Sequence, residues 1–139
     1  VAESCTGGLI SSRLTDVPGS SDYFEMGVVA YGNDTKIKRL AVPKFMLNEH
    51  GAVSESVAAA MASGVRSNAG TELGIGVTGI AGPAGGTQEK PVGMVVFAVE
   101  TPDRQEVRTM RFYGGRELVN YQASQFALDM VRRILEDRD

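Results

Sequence analysis

Between a short apolar start and the amphipathic run Leu9 to Thr15, the chain sets Ser4-Cys5-Thr6-Gly7-Gly8. A glycine pair at such a junction permits a sharp turn, because without a Cβ the backbone reaches angles closed to other residues. The segment therefore reads as the end of a strand, Val1 to Glu3, turning into a helix that begins near Thr6. A strand–turn–helix opening favours folds that cover a sheet with helices. The same corner is a candidate ligand cradle. A helix start offers free N–H groups and the positive end of its dipole, which suit a phosphate or an oxyanion. Ser4 or Cys5 would stand beside it as a nucleophile; a plain N-cap followed by close helix packing is the competing reading.

The rest of the chain continues the alternation. Pro18-Gly19 ends the helical stripe of Leu9, Ile10 and Leu14. Phe24 to Ala30 reads as a second strand, and Asn33-Asp34-Thr35 as the cap of a helix over Lys36 to Leu40. Pro43 suits the first turn of another helix reaching Glu49, which Gly51 stops. Ser54 caps a longer one, Glu55 to Asn68, with Val57, Ala60, Met61 and Val65 on its inner face. Leu73 to Thr78 is a glycine-thinned buried strand, and Gly79 to Lys90 a long loop. Val92 to Glu100 and Glu106 to Phe112 flank Thr101-Pro102-Asp103 as a hairpin. A final helix, Arg116 to Leu135, carries the stripe Leu118, Tyr121, Phe126, Met130 and Ile134.

This pattern predicts a single three-layer α/β/α domain over residues 1–139, with a mixed, mostly parallel sheet and a C-terminal β-hairpin plus helix. Loops that follow parallel strands open at the strands' carboxyl ends. Ser4 to Gly8, Tyr31 to Lys36 and Thr78 to Gly86 are thereby expected to share one crevice.

Composition narrows what that crevice does. A net charge of −3 argues against sequence-independent nucleic-acid binding, which needs a basic face, but leaves a small nucleotide open. One cysteine and one histidine, Cys5 and His50, provide neither an internal disulfide nor a zinc-ligand set, so no metal is expected and a reducing compartment fits. The longest apolar run, Val92 to Val99, is far short of a membrane span.

The second glycine corner is Thr78-Gly79-Ile80-Ala81-Gly82-Pro83-Ala84-Gly85-Gly86. Ordering so many glycines costs conformational entropy, which favours a ligand-cradling role over a plain connection. Two familiar phosphate motifs fail here. Gly74-Ile75-Gly76-Val77-Thr78-Gly79 spells a dinucleotide fingerprint, but its glycines lie within the strand and none opens a helix. Gly85-Gly86-Thr87-Gln88 lacks the lysine of a P-loop. His50 reads as a helix-end cap. With one histidine, an enzyme built on Ser4 needs another base, and Lys36 can serve if burial lowers its pKa toward neutrality. Otherwise Lys36 is a solvated lysine and Tyr31 a half-buried aromatic. Arg116 follows Gly114-Gly115 at a helix start, where a cation is unfavourable unless an anion is near. Adjacent strand residues face opposite sides, so Ser4 and Cys5 do not both address one ligand.

Six ordered segments carry a resemblance. They are Ala2-Glu3-Ser4-Cys5-Thr6-Gly7-Gly8, Pro18-Gly19-Ser20-Ser21, Tyr31-Gly32-Asn33-Asp34-Thr35-Lys36, His50-Gly51-Ala52-Val53-Ser54, the glycine corner Gly79 to Gly86, and Lys90-Pro91-Val92-Gly93. Over essentially its whole length the chain resembles the CinA C-terminal domain family, the nicotinamide-nucleotide amidohydrolases. The resemblance implies a cytoplasmic enzyme that hydrolyses the carboxamide of nicotinamide mononucleotide to nicotinate mononucleotide and ammonia, without a cofactor. It implies Ser4 as nucleophile, with Tyr31 and Lys36 as activating partners and Tyr31 available to pass the proton. Thr78 and Arg116 match residues around the substrate, beside the glycine corners of Thr6, Gly7, Gly8, Gly79 and Gly82. It also implies a helix ahead of the first motif, absent from a sequence that opens at Val1, and in many members a separate N-terminal nucleotide-processing domain. A homodimer is expected, both from the resemblance and because the hairpin exposes a sheet edge. The competing function is a non-catalytic nucleotide-binding or assembly module of the same fold.

Overall fold

In a computed structural model of the protein, residues 1–137 are described; the last two of the expected domain lie outside the described residues. The chain runs β1 (Ala2–Glu3), α1 (Leu9–Thr15), a 3-10 turn (Ser20–Asp22), β2 (Val28–Val29), α2 (Asn33–Leu40), α3 (Lys44–His50), α4 (Glu55–Ala69), β3 (Gly74–Gly79), β4 (Met94–Glu100), β5 (Gln105–Arg111) and α5 (Arg116–Glu136). One sheet holds all the strands in the order β2-β1-β3-β4-β5. It is mixed as expected, and evenly so: β1 pairs in parallel with β2 and β3, while β3–β4 and β4–β5 are antiparallel.

Strand β4 shows why the sheet is covered on both faces. Its run Met94–Glu100 alternates between two apolar clusters. Val95, Phe97 and Val99 join Ile10 of α1 and Val119, Ala123, Ala127, Met130 and Ile134 of α5. Val96 and Ala98 join Ala58 and Ala62 of α4 on the other face. A strand buried on both sides reads as a continuous apolar run, not as alternation. Leu40 of α2, Leu47 of α3 and Met61 of α4 complete the second layer.

The glycines of β3 serve this packing. A Cβ on Gly76 would lie 2.3 Å from the Ala58 carbonyl oxygen, and one on Gly74 would lie 2.4 Å from that of Ala62. The backbone of α4 therefore rests directly on β3, and the strand is thinned to admit it.

Several expected boundaries shift. The segment 24–30 is a strand only at Val28–Val29, because its partner β1 is equally short. Helix α1 starts at Leu9 rather than near Thr6, since Gly8 holds a left-handed φ of 103° and ends the turn. On α5 the buried face is Val119, Ala123, Ala127, Met130 and Ile134, whereas Leu118 and Tyr121 are exposed. An expectation built on large residues misses that a helix lying close on a sheet uses small ones.

Candidate active site

The carboxyl ends of β1, β2 and β3 deliver three of the expected segments to one place. Ser4 follows β1, and its N–H donates to the Val77 carbonyl of β3 at 2.9 Å. Alternation along the strand sends neighbouring side chains to opposite faces. Cys5 packs with Ile10 and Val119 in the α1–α5 cluster, while Ser4 meets Lys36 of α2.

Lys36 is 1% exposed and heads the fully buried side chains by size. Its Nζ lies 3.1 Å from Ser4 Oγ, 2.8 Å from the Ala30 carbonyl oxygen and 3.2 Å from that of Tyr31. Carbonyls only accept, so they take two N–H groups; a neutral amine then turns its lone pair to the serine hydroxyl, whereas an ammonium would donate its third N–H there. Burial pushes the Lys36 pKa below the ordinary lysine range. Burial thus favours the neutral amine, the form that can accept a proton.

Cys5 behaves in the opposite sense. Burial pushes its thiol up to about 12, a shift that hydrogen bonds from the backbone only partly offset. At neutral pH it is a buried thiol, not a thiolate.

The expected ring of site residues assembles with corrections. Tyr31 meets Lys36 through its carbonyl, while its exposed phenol accepts a hydrogen bond from Arg116 at 2.8 Å. The Lys36–Ser4 contact is direct, whereas the Tyr31 phenol bonds to Arg116 and to neither of them. Arg116 also donates to the Gly82 carbonyl at 2.7 Å, bridging the loops after β2 and β3 across the mouth of the crevice. Gly82 holds φ 83°, and a Cβ there would strike Val92. Gly79 closes β3 against the backbone of Val95. Thr78 is 1% exposed and its hydroxyl donates to the Ala52 carbonyl, so it sits in the floor with its proton engaged. The His50 carbonyl accepts from Lys90, which ties the long loop to the end of α3.

One functional expectation is overturned at α1. Its first N–H groups are not free for an anion. Glu3, fully buried, accepts from Ile10 N at 2.8 Å, Ser11 N at 3.0 Å, Ser11 Oγ at 2.7 Å and Thr6 Oγ1 at 2.7 Å. Thr6 is thereby spoken for as well; only Gly7 and Gly8 remain at the open rim. Capping signals look for a polar residue at the N-cap itself, and this cap comes from the preceding strand. Its one trace in the sequence is an acidic residue in an otherwise buried strand end.

A cavity of about 450 Å³ lies elsewhere, lined by Leu14, Phe24, Met26, Leu73, Ile75 and Leu128. It opens near the amino ends of the strands, holds none of the groups above and is mainly apolar. Ser4 and Lys36 lie at the opposite end. Among the described residues, no group of three or more His, Cys, Asp or Glu could hold a metal ion, and no helix is long and apolar enough to cross a membrane.

Comparison with known proteins gives a consistent result. A CinA-like protein of Acidobacterium capsulatum is 52% identical over 135 residues, covering 97% of this chain and 33% of its own length. The chain thus spans about one third of such relatives. The crystal structure of competence damage-inducible protein A (ComA) from Klebsiella pneumoniae superimposes with a TM-score of 0.94 at 36% identity, covering 97% of this chain and 84% of that one. The competence/damage inducible protein CihA from Agrobacterium tumefaciens does so with a TM-score of 0.92 at 41% identity, over 95% of this chain and 81% of that one. The sequence profile of the CinA C-terminal domain matches residues 1–135, and the chain belongs to that family.

Proposed function

We propose that the domain hydrolyses the carboxamide of nicotinamide mononucleotide, with Ser4 as nucleophile and neutral Lys36 as base. The observation that carries this reading is the buried amine 3.1 Å from a serine hydroxyl, its other two partners being carbonyls. Ser4 Oγ attacks the amide carbon while its proton passes to Lys36 Nζ. The pyridinium ring withdraws electrons from that carbon and makes it more electrophilic. Main-chain N–H groups of the Cys5–Gly8 corner or of the loop after Thr78 steady the tetrahedral oxyanion. The ammonium of Lys36 then protonates the amide nitrogen, which leaves as ammonia; water, deprotonated by the same amine, attacks the acyl-enzyme, and the proton returns to Ser4 Oγ. The substrate's phosphate goes to the Arg116 side of the mouth, because at α1 it would meet the Glu3 carboxylate.

The test is ammonia release from nicotinamide mononucleotide by the purified protein, run with and without excess chelator. Turnover is expected, unchanged by chelation. Activity lost to the chelator and restored by one particular divalent ion contradicts the mechanism. Nucleotide binding without any turnover favours the non-catalytic module instead.

We further propose a homodimer. β5 is an edge strand, and Met110, Tyr113, Leu118 and Tyr121 are exposed beside it. Phe126 and Met130 of the same helix pack inward against Phe97 and its neighbours and add nothing to this surface. Light scattering at tens of micromolar is expected to return twice the chain mass; a monomer mass there rejects the dimer.

A further inference from the structure

The proposed chemistry leaves Glu3 without a part, yet a fully buried carboxylate is costly unless its oxygens are satisfied. Here both are. Oε1 accepts from Thr6 Oγ1 and Ile10 N, and Oε2 from Ser11 N and Ser11 Oγ. The charge also meets the positive end of the α1 dipole. The four contacts span the loop on both sides: Thr6 lies inside the corner, whereas Ile10 and Ser11 lie in the helix beyond it.

Ser4, bonded directly to Glu3, is thereby held from several directions. Its N–H is fixed on Val77, and its carbonyl accepts from Gly7 N at 3.0 Å. Lys36 approaches from the other face of the strand, on a different helix. The serine–lysine distance therefore depends on how firmly the β1–α1 corner is held. A misplacement of about 1 Å in such a pair can cost about 10²-fold in rate.

We propose that Glu3 is the positioning residue of the Ser4 nucleophile, its buried carboxylate clamping the Ser4–Gly8 corner to α1 so that Ser4 Oγ is held at Lys36. The inference rests on the serine–lysine reading above. It explains why a carboxylate stands there rather than an amide. Each oxygen accepts from a backbone N–H, which can only donate, so glutamine, equal in size, sets its NH2 group against one of them in either orientation.

The test uses Glu3→Gln in the full chain, with two readouts. One is kcat and KM for ammonia release from nicotinamide mononucleotide. The other is the rate at which a small sulfonyl fluoride labels Ser4, located by peptide mass mapping; it reports serine reactivity whatever the nucleotide. Val107→Ala, on β5 away from the site, supplies a control for lost stability. Glu3→Gln is expected to slow both labelling and kcat by about 10²-fold, with KM within about threefold of the parent. The control, compared well below its own melting temperature, keeps both rates. If Glu3→Gln fails to fold, Ser11→Ala removes a single donor and is expected to slow both rates severalfold, KM again holding. Parental labelling and kcat in either variant, or losses no larger than the control's, overturn the proposal. A parent labelled at Ser4 that releases no ammonia removes the substrate reading, and the labelling rates alone then decide on Glu3. A parent not labelled at Ser4 overturns both.

Discussion

Ser4→Ala is expected to lower amide hydrolysis by about 10⁴-fold or more, the scale seen when a covalent nucleophile is removed, while Cys5→Ala keeps most of the rate. The asymmetry follows from which face of β1 each side chain occupies. Ser4 Oγ is within hydrogen-bond reach of the buried Lys36, whereas the Cys5 sulfur is enclosed with Ile10 and Val119 on the far face. Burial also holds the thiol up to about 12, so its thiolate is scarce at neutral pH. Steady-state rates of the two variants, beside a binding measurement showing that Ser4→Ala still takes up nucleotide, check the assignment. An active Ser4→Ala protein with a dead Cys5→Ala one reverses it.

How much of this was legible beforehand depends on the kind of force involved. The alternation of strand and helix, the cover on both faces and the mixed sheet follow from apolar runs and turn residues, which local sequence records directly. The gathering of Ser4, Tyr31, Lys36 and Gly82 at one end follows from the topology of parallel strands. Helix α5 was legible in length but not in facing. Its buried residues include Ala123 and Ala127, small because the sheet is near, and nothing in a hydrophobic stripe announces that. The reach of single side chains was hidden too. Tyr31 turns its hydroxyl outward to Arg116 and gives Lys36 only a carbonyl.

The corner at Ser4 is the sharper case. Glycines and a helix start imply an anion cradle as long as the N–H groups are free. Whether they are free depends on one rotamer of Glu3, a residue that precedes the helix by a whole loop. The motif was visible, but its internal hydrogen bonds were not. Much the same holds for Gly74 and Gly76, whose spacing imitates a nucleotide fingerprint while their function is to let α4 lie on β3. A glycine in a strand states that something comes close, without saying what.

Substituting Lys36 separates its charge from its basicity. The rate for free enzyme is expected to rise with pH through an ionisation below the ordinary lysine range, because burial disfavours the ammonium and only the neutral amine accepts the serine proton. The sign follows from the bonding. Protonation at low pH would fill the lone pair that faces Ser4, so activity is lost as pH falls and recovered as it climbs. Lys36→Met is expected to lower the plateau rate by about 10³-fold and to abolish that limb, a loss within the range for general bases. Lys36→Arg retains a cation but no accessible neutral form, and is expected to be as inactive as the methionine variant. His50→Ala leaves the profile in place, since the imidazole is exposed at the end of α3 and touches none of these groups. A pH limb that survives in Lys36→Met, or activity in Lys36→Arg, would return the lysine to a purely structural part: two hydrogen bonds that hold Ala30 and Tyr31 at the end of β2.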